Sequence, residues 1–221
     1  MLPWLTPTLE DLLVEAAWQT AVMVGASAAV AVLAGLPLAL LLHMTAPGGL
    51  APSPLLNRPL GLVVNAVRST PFIILMVAIV PFTRLVAGTS IGTGAAIVPL
   101  ALAATAFAAR LFENAIREVD RGVVEAARAM GATRARILFR VLIPEALPGL
   151  VAATTVTLVG LVGYSAMAGA VGGGGLGDLG IRFGYQRFMP EVMATVVAVL
   201  ILLVQGLQSL GDWLVRRVSR R

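Results

Sequence analysis

Five uncharged, apolar runs constrain this chain more than any other feature: 16–42, 69–83, 85–109, 146–177 and 192–211. A helix rises about 1.5 Å per residue and the hydrocarbon core of a bilayer is about 30 Å thick, so roughly 20 apolar residues cross it. Four of the runs reach that length as they stand. The second is cut short by Arg68 and reaches it when counted from Pro59 to Thr83. With 58% apolar and 12% charged residues, the chain lies far from a soluble domain, which carries about 25% charge. The expectation is an all-α polytopic membrane protein with five transmembrane helices. No short-period repeat or linker divides it, so residues 1–221 read as one membrane domain.

The 16 basic residues are all arginine; there is no lysine, no cysteine and one histidine, His43. A phosphate-binding P-loop needs its lysine, so a standard nucleotide site is excluded. So are a Schiff-base lysine, a thiol nucleophile and a cysteine-based metal centre. No catalytic residue, cofactor or metal site is expected. Gly175-x-Gly177-x-x-Gly180 fits a dinucleotide-binding pattern, but no strand precedes it and no βαβ unit surrounds it. Those glycines are expected to end the fourth span and form a tight outer loop.

Charge placement gives an orientation. Positive residues collect on the cytoplasmic side. With the N-terminus outside, the inner segments hold Arg58, seven arginines between Arg110 and Arg140, and Arg216, Arg217, Arg220 and Arg221, twelve in all. The outer segments hold three, Arg84, Arg182 and Arg187. The acidic start (Glu10, Asp11, Glu15) agrees. It also lacks the basic flank of a cleaved signal peptide, so the first span is expected to be retained. The tail 212–221 reads as a basic cytoplasmic anchor to anionic lipid. N-out and C-in is therefore expected.

Residues 1–15 read as an outer segment, with a short amphipathic helix over 5–17 and Thr8 as its cap. Residues 46–59, with four prolines and two glycines, form an inner loop. Arg68 precedes Ser69-Thr70-Pro71, near the inner end of the second span. It either snorkels to the inner interface or faces a pathway. The third span ends at Arg110. Between it and the fourth lies a polar, arginine-rich loop, 110–145. Glu125 and Arg128 are spaced for an ion pair. Gly131 suits a left-handed helix end and Thr133 a helix cap. A second short helix, 134–143, then stops before Pro144. Its apolar face holds Ile137, Leu138, Val141 and Leu142. On periodicity alone that face rests on lipid.

Glu125-Ala126-Ala127, Gly131 and Pro144 stand in the register of the EAA signature of ABC-importer permeases, with Val141 and Ile143 as apolar replacements. The loop therefore resembles the coupling loop of type I importer permeases. Arg68-Ser69-Thr70-Pro71, Arg128-Ala129-Met130-Gly131 and Gly163-Tyr164-Ser165-Ala166-Met167 resemble the methionine-importer branch. The resemblance implies a permease of the bacterial inner membrane that works as a homodimer. Two cytoplasmic ATPase subunits and an extracytoplasmic methionine-binding protein would complete it. Methionine would cross by alternating access, and ATP hydrolysis would belong to the partner subunit.

The same resemblance makes Glu125, Ala126, Ala127, Gly131, Arg134, Ile137, Val141 and Pro144 the ATPase-docking residues. It places Tyr164, Ser165, Met167 and Arg68 along the translocation pathway. Met167 is either packing or a repacking gate shared by two subunits. Asp178 is either a solvated loop residue or a contact to the delivery protein. A permease for another amino acid or small peptide is the nearest alternative. A secondary transporter would need ionisable groups inside the spans, and runs one, three, four and five hold none.

Overall fold

A computed structural model describes residues 7–219, and the description of side chains begins at Leu9. The start of the expected outer segment and the last two arginines of the tail lie outside the described residues. The described residues are helical, with no strand among them. Four helices are long and apolar enough to cross a membrane: α1 (Pro7–Thr45), α5 (Thr93–Arg117), α8 (Ile143–Ala168, in line with the turn before it) and α10 (Pro190–Val218). The candidate for a fifth crossing is a bent pair of helices. α2 (Pro54–Ser69) and α3 (Phe72–Ala78) meet at an angle of 109° across Thr70-Pro71. Pro71 lacks an N–H and pushes the residue before it out of the helical region, and Thr70 is extended at φ −83°, ψ 125°. α4 (Val80–Ala87) then leads to α5.

α1 and α5 form the centre. Small residues let the two backbones approach: Ala28, Ala31 and Ala39 of α1 pack in one cluster with Ala104 and Ala108 of α5. A side chain at Gly35 would meet the carbonyl of Thr105 at 3.3 Å. α8 packs beside α5, where Gly149 faces Ala115. α10 is the least buried of the four.

The structure corrects several sequence expectations. The described part of the expected 5–17 helix, from Pro7 on, is no separate surface helix. α1 is continuous over 39 residues, Thr8 lies within it, and Leu9, Leu12 and Ala16 pack on Leu176, Leu179, Val192 and Val196. At about 58 Å, α1 is longer than the hydrocarbon core and must tilt or project. α5 continues past Arg110 to Arg117 because its charges pair: the Glu113 carboxylate, 3% exposed, accepts from Arg110 and from Arg117, each at 2.6 Å. Arg110 also donates to the carbonyl of Gly61 at 3.1 Å and so ties α2 to α5.

The glycine run is a tight turn, as its composition suggests. A widened turn, Gly169–Gly173, leads into the short α9 (Gly175–Leu179). Gly174 and Gly175 adopt φ +78° and +80°, backbone that favours glycine. The turn is fastened to α1: the N–H of Gly175 donates to Gln19 Oε1 at 2.7 Å and that of Leu176 to Thr20 Oγ1 at 2.9 Å.

Candidate functional site: a capped loop and a cavity at the broken helix

The polar loop folds as its residues dictate. Asp120 caps α6 (Arg121–Ala129) by accepting from the N–H of Gly122 at 2.6 Å. At the other end Gly131 has φ +77°. Its N–H donates to Arg128 O at 2.9 Å, and that of Ala132 to Ala127 O at 3.0 Å. These two bonds are the pattern of a helix closed by a left-handed residue. Thr133 then accepts from the N–H of Arg136 at 3.3 Å and starts α7 (Arg134–Ile137). The predicted pair of Glu125 and Arg128 is not among the ion pairs of the described residues.

The second helix does not stop before Pro144. α7 passes through a widened turn, Leu138–Leu142, into α8, with Pro144 in the first turn of α8. Proline cannot donate to the carbonyl four residues back, and the wider turn absorbs that lost bond. Residues 134–168 thus run as one continuous helical rod.

The eight loop residues separate into groups. Glu125, Ala126, Gly131 and Arg134 are exposed, Val141 and Pro144 are half-buried, and Ala127 and Ile137 are only 4% and 1% exposed. Ile137, Leu138 and Leu142 join the chain's own core, so their face does not rest on lipid. Sequence reasoning missed Met130, 81% exposed at the turn, and Phe139, also exposed. An apolar residue beside Gly131, at the tip of a polar loop, was the available signal.

The four residues expected along the pathway also separate. Arg68 and Tyr164 line one cavity of about 140 Å³ together with Val67, Thr70, Phe72, Ala103 and Phe107. Tyr164 stacks on Phe72, centroids 4.9 Å apart and rings 15° from parallel. Met167 is 41% exposed. It sits three residues from Tyr164, on the same side of α8. Ser165 faces inward instead: it is buried, and its hydroxyl donates to Val162 O at 2.8 Å. Asp178 is paired with Arg182 at 2.8 Å. Arg68 lies on the last turn of α2, level with the middle of α5.

The family described as "binding-protein-dependent transport system inner membrane component" matches residues 35–221. The chain belongs to this family. It is a multi-pass inner-membrane transport component and not an enzyme. The probable D-methionine transport system permease protein of Vibrio cholerae is 56% identical over 211 residues, 96% of this chain and 94% of that one. Its counterpart in Pasteurella multocida is 44% identical, covering 98% and 100%. A chain of the solved inward-facing MetNI methionine ABC transporter superposes with a TM-score of 0.96 at 49% identity, covering 98% and 100%. A chain of a solved amino acid ABC transporter superposes with a TM-score of 0.79 at 21% identity and shows likeness of fold alone.

Proposed function

We propose that this permease is the membrane-spanning subunit of an ATP-driven methionine importer. The observation that carries the reading is full-length identity to methionine permeases, 56% over 96% of the chain. Two copies would enclose the pathway. Two ATPase subunits would dock from the cytoplasm on the exposed face of α6 and α7, around Glu125, Ala126, Gly131 and Arg134. A methionine-binding protein would deliver solute from the other side. The arginine bias of the sequence supports N-out and C-in.

The geometry gives this reading a mechanical basis. The loop that would receive the push is continuous with the helix that carries Tyr164 and Met167, because α7 and α8 form one rod. On the other flank, α6 follows α5, which Arg110 ties to α2. A displacement of the loop therefore moves both walls of the cavity at Arg68. ATP binding would draw the two loops together and open the pathway outward, and hydrolysis would restore the inward-facing state. This chain would bind and move, with no bond made or broken on it.

The test is complementation. The permease is expressed with its ATPase and binding protein in a methionine auxotroph stripped of its own importers. Growth on limiting methionine supports the reading. Failure to grow, with all three proteins assembled, contradicts it.

A further inference from the structure

Thr83 lies in α4, within the uncharged run 69–83. It is 4% exposed, and its hydroxyl oxygen has no hydrogen-bond partner among the described residues. A hydroxyl left unpaired in an apolar surround is costly, and hydrocarbon offers it no partner. Thr83 lines a cavity of about 50 Å³ at the corner where α3 and α4 meet α5 and the glycine turn. Direct bonds close part of that corner: the N–H of Gly92 donates to Gly172 O at 2.8 Å, and the Thr93 hydroxyl to Gly173 O at 3.4 Å. Neither involves Thr83.

Two more residues of the same wall bring polar groups. Pro99 lies inside α5. Having no N–H, it cannot donate to the carbonyl of Ala95, four residues back. Ala95 is 2% exposed and lines the cavity. Ser90, also in the wall, accepts from Arg84 Nε at 3.3 Å, which leaves its hydroxyl proton able to donate. The wall therefore combines donors with an acceptor, and no charged side chain lines it. A cation would find no carboxylate there. Sites for small molecules run to about 300–1,000 Å³, so a solute does not fit. A buried water needs only about 10–15 Å³ and two to four polar partners. Ordered water is also one means by which a membrane helix satisfies backbone groups freed by proline.

We propose that this cavity is a buried water site. The Thr83 hydroxyl donates to the water, and the water donates to the carbonyl of Ala95. The water links α4 to α5 through a partner that reorients when the corner moves, which a direct hydrogen bond cannot do. The site concerns the packing of α4 on α5 and stands apart from the importer reading.

The experiment uses the permease purified with the subunits that assemble with it, in phosphatidylcholine nanodiscs. Thr83→Val keeps the shape of the side chain and removes the hydroxyl. It should lower the melting temperature by about 2–4 °C, the shift for one lost hydrogen bond. A dry cavity predicts the opposite sign, because valine would then relieve an unpaired hydroxyl. The second readout is X-ray radiolysis, which makes hydroxyl radicals from bound water and oxidises the side chains beside it. Met76 lines the cavity, and its thioether takes up oxygen readily. Oxidation of Met76 should fall severalfold in Thr83→Val and stay near wild type in Thr83→Ser. Pro99→Ala, which returns an N–H to the Ala95 carbonyl, should lower it as well.

A melting temperature of Thr83→Val equal to or above that of wild type overturns the proposal. So does Met76 oxidation unchanged by Thr83→Val, which would place the oxidising water outside the cavity. If Thr83→Val does not fold, Pro99→Ala decides: lowered oxidation of Met76 supports the water site, and unchanged oxidation overturns it.

Discussion

Gly131 is where one residue type decides the loop. Its φ of +77° closes α6 and turns the chain into α7. The open space around it means that a side chain would meet no atom within 4 Å. The cost of replacement is therefore backbone strain alone. Gly131→Val should cost about 1–3 kcal/mol, enough to distort the turn without preventing membrane insertion. Reduced co-purification of the ATPase, or ATP hydrolysis no longer stimulated by solute, is the expected outcome. Normal assembly with normal coupling would remove the docking role from this loop. Met167 gives a second prediction at this scale. It is exposed on the side of α8 that carries Tyr164, and an unbranched thioether repacks easily. Met167→Cys, in a chain with no native cysteine, should crosslink across the dimer when the pathway is closed. Absence of any crosslink would make Met167 ordinary packing. The left-handed turn at Gly131 was legible from its spacing, whereas Met167 was singled out by resemblance alone. The inward turn of Ser165 was not, because its place on the α8 circumference depends on which face meets α5.

At the scale of elements, two fastenings hold the moving parts. Thr20 and Gln19 accept the N–H groups of Leu176 and Gly175, more than 150 residues away. Thr20→Val keeps the shape and removes the acceptor. It should cost about 1–3 kcal/mol, the penalty for a buried donor left without a partner. A lowered melting temperature in detergent would show it, and an unchanged one would contradict it. Glu113 fastens the C-terminal end of α5, where it meets both Arg110 and Arg117. Removing a buried partner of this kind costs about 3–5 kcal/mol. Glu113→Gln should therefore loosen α2 from α5, read as faster hydrogen exchange in residues 54–69. Exchange equal to wild type would show that Arg110 holds α2 without it. Neither fastening was legible. Arg110 reads as the end of a span only when its charge is taken to be unpaired. The corner at Thr70-Pro71 was half-legible: the proline marks it, but a hydropathy count from Pro59 to Thr83 runs straight across a right-angled bend. The continuity of α1 was missed because the acidic residues near its start suggest a surface segment, whereas its apolar side has α9 and α10 to pack on.

For the whole molecule, hydropathy alone indicated the helical membrane architecture, and the loop motif indicated the family before any coordinates. The proposed N-out and C-in orientation rests on the arginine bias and carries its own prediction. A reporter after Arg221 should read as cytoplasmic, and one inserted among the exposed residues Gln186–Phe188 as external. The reverse pattern would put the α6–α7 loop on the side without ATP.

The central claim, that an ATPase working on this loop drives methionine through the permease, is tested most directly in proteoliposomes. The permease, its ATPase and its binding protein are reconstituted, and labelled methionine uptake is followed with ATP or with an imposed ion gradient. The account predicts accumulation that needs both ATP and the binding protein and is abolished when the ATPase cannot hydrolyse. Uptake driven by an ion gradient in the absence of ATP would contradict it.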